Sequence, residues 1–199
     1  GWDPSIDMLL GLDRSFDVLF LVGYHPGPAV PGGVLSHTFT SRIIDLRING
    51  NPCNEAVIAA LQAGELGIPV GLVTGQAELR DEIAPTMSDA VFVSTKRGFA
   101  YQAALLEPMT ELREKIREGA REAASRRATG DSLRPFRPDS PLRLEMELST
   151  VEAALAAERL PGMERVSAGG LVLTAPDAGT LVRRFFGTLQ VLYAVRDAP

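Results

Sequence analysis

Residues 17–24 read DVLFLVGY, a continuous apolar run that empties straight into HPGPAVPGGVLSH at residues 25–37. The run has the length and composition of a buried strand, and its lack of alternation predicts a central strand covered on both faces. The stretch after it has too many prolines and glycines for a helix or an interior strand. A loop leaving the carboxyl end of a strand is where open α/β sheets commonly bind ligands.

The same rhythm continues downstream. Residues 42–48 form a predicted strand closed by the turn residues Asn49, Gly50, Asn51 and Pro52, and residues 54–66 a helix stopped at Gly67. A strand is expected over 70–74, a helix over 77–84 ended by Pro85, and a short strand over 90–95. Before them, Asp3 with Pro4 marks the start of a short helix ending near Gly11. Residues 107–127 read as one long helix whose acidic and basic residues three and four apart form a solvated face. Alternating strands and helices predict an α/β fold with a mostly parallel sheet flanked by helices. Residues 129–141, rich in Pro, Ser, Arg and Asp, read as a linker. Beyond it, strands over 142–148, 165–168 and 171–174 with helices over 150–159 and 177–194 form a smaller C-terminal α+β lobe. The expected division is therefore 1–128, an α/β domain, then the linker 129–141, then the lobe 142–199.

Composition narrows the function. With 25 acidic and 20 basic residues dispersed over 199, the chain carries a net charge of −5 and has no basic stripe, so nucleic acid is not an expected partner. No apolar run approaches the roughly 20 residues of a membrane-spanning helix, so no membrane association is expected. The single cysteine, Cys53, excludes an intrachain disulfide framework and fits a reducing compartment; with no secretory signal in view, a cytoplasmic protein is expected.

Both histidines of the chain, His25 and His37, bracket the Gly/Pro-rich loop. Imidazole is the commonest metal ligand and titrates nearest neutral pH, so the pair suggests a metal or proton-transfer site. Two exposed or backbone-bonded loop histidines would read the same way. Glu55 falls in the first turn of the helix after Pro52, one turn before the core-facing Ile58. It either complements the positive helix terminus or joins the imidazoles in a zinc-hydrolase donor set. Lys96 and Arg97 could steer a peptide carboxylate or sit in a solvated turn. Thr74, Gly75 and Gln76 at a strand end could line a pocket or make an ordinary turn.

The segment GYHPGPAVPGGVLSHTF (23–39), the stretch RINGNPCNE (47–55) and the continuation to VTG (73–75) resemble the D-aminopeptidase family of binuclear zinc peptidases. The likeness extends more weakly over most of the chain, and the loop between the histidines holds one residue more than the family pattern. The resemblance implies that His25 and Glu55 are zinc ligands and that His37 acts at the reaction centre as general base or nucleophile. It also implies two zinc ions, short peptides as substrates with N-terminal residues removed, a preference for D-residues, and a ring-shaped homo-oligomer. The family's remaining ligands, an Asp-x-Glu motif and a further histidine, have no counterpart among these residues. The sequence opens at Gly1 without methionine, so an upstream segment is expected to be missing and this chain alone to bind metal weakly. The alternatives are a metal-free peptide- or small-molecule-binding domain and an oligomer-forming fragment of such an enzyme.

Overall fold

The computed structural model describes residues 9–130 and 133–195. The helix expected to start at Asp3 lies mostly outside them.

Two sheets organise the chain. The first has the order β1-β4-β5-β6, built from β1 (Leu19–Tyr24), β4 (Val70–Gln76), β5 (Val91–Ala100) and β6 (Ala103–Leu106). β1 and β5 flank β4 in parallel, and β6 closes the sheet as an antiparallel hairpin with β5. The second sheet, β3-β2-β7-β9-β8, is antiparallel throughout. It takes β2 (Ile43–Ile48) and β3 (Asn51–Pro52) from before residues 129–141, and β7 (Leu142–Leu148), β8 (Met163–Arg165) and β9 (Gly170–Ala175) from after them. The α/β class with a mostly parallel sheet is as the sequence indicates.

Burial explains the strand patterns. All seven residues of β4 are buried, because the strand is central and covered on both faces. In β7, LRLEMEL, Leu142, Leu144, Met146 and Leu148 point into the core while the charged residues between them face outward. β1 departs from its expected central place. Among the described residues it is the edge of its sheet, and Val22 is 66% exposed.

Helix α3 (Met109–Ala128) covers one face of the first sheet through Leu112 and Ala123 against Leu72 and Val93. On the other face lie α1 (Glu55–Glu65) and α2 (Leu79–Met87). Beyond them α4 (Val151–Ala157) and α5 (Ala178–Ala194) cover the inner face of the second sheet. Helix α1 is therefore enclosed, packing on β1, α2 and α5, and eight of its eleven residues are buried. Pro85 does not end α2 but lies inside it. The turn is exposed at Asp81, Ala84 and Pro85, so the carbonyl that loses its partner is solvated. The short strand expected over 90–95 continues to Ala100 and turns into β6. Phe136 and Arg137 lie against α1, with Arg137 Nε donating to the Gly64 carbonyl at 2.8 Å. No helix among the described residues is long and apolar enough to cross a membrane.

Candidate metal centre

His25 follows β1 directly, His37 lies twelve residues further along the loop, and Glu55 is the first residue of α1. The helix starts there because Asn54 caps it, its Oδ1 accepting the Val57 amide at 3.1 Å. The cap turns Glu55 back toward the loop rather than into solvent. One donor atom from each of His25, His37 and Glu55 lies within 4.8 Å of the other two. Glu55 Oε1 is 3.6 Å from His25 Nε2 and 3.9 Å from His37 Nε2. These separations exceed a hydrogen bond, so the three atoms surround a common point instead of bonding one another.

Each imidazole is oriented from behind. His25 Nδ1 faces the Pro26 carbonyl at 2.9 Å and His37 Nδ1 faces the Leu35 carbonyl at 2.6 Å. A carbonyl only accepts, so each Nδ1 carries a proton and each ring turns its Nε2 toward the centre. The rings stack at 4.4 Å between centroids with 15° between planes, which holds the two Nε2 atoms on the same side. Glu55 Oε1 also accepts the Phe39 amide at 2.8 Å. Backbone carbonyls behind the histidines and an amide on the carboxylate are the outer contacts that orient metal ligands.

The loop pays for this arrangement in strain. Leu35 and Phe39, two residues either side of His37, have φ of 50° and 56°, left-handed values that cost non-glycine residues of order 1–3 kcal/mol each. The Phe39 ring offsets part of that by packing edge-on against Phe185 and Phe186 at 5.3 and 5.6 Å, and its carbonyl accepts Tyr193 Oη at 3.0 Å.

A residue with no sequence signal completes the surroundings. Glu82 on α2 accepts the Gly27 amide at 2.8 Å. Burial holds its carboxyl above the ordinary carboxylate range, with the Gly27 amide, Asn54 and the nearby His25 opposing that shift. A Cβ at Gly27 would strike the Glu82 carboxylate, so a larger residue there would have to displace that side chain. Lys96 and Arg97, weighed above as steering a peptide carboxylate or sitting in a solvated turn, lie in β5 and outside the three-residue cluster.

The donor set fits zinc. Ligands ~2.0–2.2 Å from a zinc ion suit two imidazole nitrogens and a carboxylate oxygen held this close, and a catalytic site leaves a further position open. Fold and donor set define an α/β protein with a candidate metal-binding cluster at a sheet's carboxyl end. The chain belongs to the D-aminopeptidase family of peptidases, whose sequence profile matches residues 1–186. Its fold is similar to that of the Zn-dependent D-aminopeptidase DppA from Bacillus subtilis, described as a self-compartmentalizing protease. The TM-score is 0.84 at 21% identity, over 98% of this chain and 70% of that one. No curated protein sequence matches the chain.

Proposed function

We propose that the protein is a zinc-dependent aminopeptidase that removes the N-terminal residue, D-residues included, from short peptides. The observation that carries the reading is the convergence of His25, His37 and Glu55, with both ring Nε2 atoms directed at the Glu55 carboxylate. In it, His25 Nε2 and Glu55 bind metal, and His37 is the catalytic group. Zinc, when bound, supplies Lewis-acid polarisation and lowers the pKa of water. His37 is the most exposed of the three, with 40% of its side chain accessible against 25% for His25 and 16% for Glu55, which suits a group that meets substrate.

The Leu35 carbonyl keeps the His37 proton on Nδ1, so Nε2 takes a proton from the attacking water as its oxygen closes on the scissile carbonyl carbon. The same atom then returns that proton to the departing amine as the C–N bond breaks. The Phe39 amide holds the Glu55 carboxylate in place to meet the metal. Two zinc ions are proposed from the family resemblance for the complete enzyme, one that also supplies the family's remaining ligands. A homo-oligomer is proposed on the self-compartmentalizing character of the similar structure. A cytoplasmic location is proposed on the lone buried cysteine.

A second reading makes His37 a third metal ligand, which its place within 4.8 Å of the other donors also supports. Zinc content of purified protein, with hydrolysis of dipeptides bearing D- or L-residues at the N-terminus, separates the two. The proposed reading expects His25→Ala and Glu55→Ala to lose zinc and activity together, and His37→Ala to keep zinc while losing activity by at least about a hundredfold. Loss of zinc in His37→Ala favours the second reading. Wild-type protein that binds zinc and cleaves none of the panel overturns both.

A further inference from the structure

We propose that Gln76 is a positioning residue of the centre, its side-chain amide serving as the rung that fixes the loop backbone from which His37 is presented. The role of His37 rests on the function proposed above; the geometry of Gln76 does not. Gln76 is the last residue of β4 and is fully buried. Its Oε1 accepts the Val34 amide at 2.9 Å, and its Nε2 donates to the Gly32 carbonyl at 2.7 Å and to the Glu78 carboxylate at 2.6 Å.

A primary amide is the group this place requires. The loop offers one N–H and one carbonyl two residues apart, as the edge of a strand would. The side chain meets the N–H with its oxygen and the carbonyl with its nitrogen, and the second N–H bonds Glu78. Glu78 also fixes which way the amide faces, because a carboxylate accepts only from the nitrogen side. Glu78 Oε1 in turn accepts the Gly98 amide at 3.3 Å, tying β5 to the same network. A Cβ on Gly98 would collide with the Gly32 carbonyl and the Gln76 amide, so the hairpin closes over this rung and keeps water from competing for it.

The link to His37 is short and continuous. Gln76 holds Val34, and the next residue, Leu35, donates its amide to the Tyr101 carbonyl at 2.8 Å. The Leu35 carbonyl then receives His37 Nδ1. Leu35 is held at φ 50°, which it would leave for a relaxed conformation were Val34 released. Rotation there moves the carbonyl that sets the His37 tautomer and ring direction. Gln76 touches neither histidine, so its effect is on placement.

The test compares wild type with Gln76→Met, matched in volume but without the amide, and Gln76→Glu, which keeps an acceptor for Val34 and loses both donors. Amide exchange is followed by NMR, together with the ring 15N and 1H resonances of His37 and, for activity, kcat and KM on the dipeptide panel. The expected result is that Val34 and Leu35 amides exchange at least about tenfold faster in both variants while β9 and α5 keep their protection. The His37 ring resonances shift or broaden while those of His25 hold, and kcat falls at least about tenfold with KM within about twofold. Wild-type exchange at 34–35 and unchanged His37 resonances in both variants would overturn the proposal, as would protection lost evenly across the fold. A wild type that cleaves none of the peptides sinks the functional reading, and the exchange and ring-resonance results still decide the role of Gln76.

Discussion

Glu82 reaches from α2 to the Gly27 amide, 55 residues away in sequence and two beyond His25, and binds it at 2.8 Å. The contact fixes the start of the loop from a different helix, so the direction of His25 depends on a residue that is not one of the three donors. Glu82→Leu leaves the Gly27 N–H half-buried without an acceptor, which costs about 1–3 kcal/mol. Glu82→Gln keeps an acceptor oxygen and should lose much less. Thermal unfolding and zinc affinity of the two variants check this: leucine is expected to lower both, and equal behaviour of the two would argue that the contact is incidental.

Leu35 offers a separation of stability from placement. Its side chain is 51% exposed and contributes little packing, while its backbone is held left-handed. Glycine adopts that conformation without strain but adds freedom to the unfolded chain, and the two effects nearly cancel. Leu35→Gly should therefore leave stability within about 1 kcal/mol of wild type while letting the His37 ring wander. The check is denaturant unfolding alongside kcat on a dipeptide, with an unchanged midpoint and a lowered kcat expected.

How much of this was legible in the chain differs by element. The β7 pattern LRLEMEL states its own geometry, because one face meets the core and the other meets water. The apolar run of β1 announced a strand but not its place at the sheet edge among the described residues, since hydrophobicity reports preference for burial and not which neighbours are supplied. The β5–β6 hairpin was hidden because Lys96, Arg97 and Gly98 read as a polar turn, and the connection at Tyr101 and Gln102 lacks the Asn-Gly or Asp-Gly signal. Of the centre, His25, His37 and Glu55 stood out through side-chain chemistry. Glu82 did not, and Gln76 was legible only as part of a strand end that could line a pocket, because each acts on backbone amides and carbonyls brought near only by the fold.

Gly64 lies in α1, where alanine would ordinarily stabilise a helix by about 1 kcal/mol. Here the sign should reverse. A Cβ at Gly64 would fall on the Phe136 carbonyl, and that backbone is anchored by Arg137 Nε on the Gly64 carbonyl itself. Overpacking against fixed backbone costs about 1–3 kcal/mol, more than the propensity gain. Gly64→Ala is thus expected to lower the unfolding temperature, and a rise would mean that residues 133–137 do not pack on α1 as described.

The ion pair of Asp89 and Arg134 fastens the same stretch to the turn before β5, with Arg134 Nε 2.8 Å from Asp89 Oδ2 and a second bond to Oδ1 at 3.3 Å. Hydrogen bonds from Arg134 hold the Asp89 carboxyl below its ordinary value, its charge adding to them against the opposing cost of burial. The sign follows from proton binding. Between the lowered folded pKa and the ordinary unfolded one, the unfolded chain binds more protons, so stability falls as pH drops through that window. Above the unfolded carboxyl pKa, ~3.9, the contribution is fully present. Arg134 is 77% exposed at its side chain, so solvent screening keeps the contribution of the pair small. Asp89→Asn should accordingly show a small loss of stability at pH 7 and a shallower decline between neutral pH and pH values below ~4. Urea midpoints measured for both proteins across that range provide the check, and parallel curves would show that Asp89 contributes nothing to the acid limb.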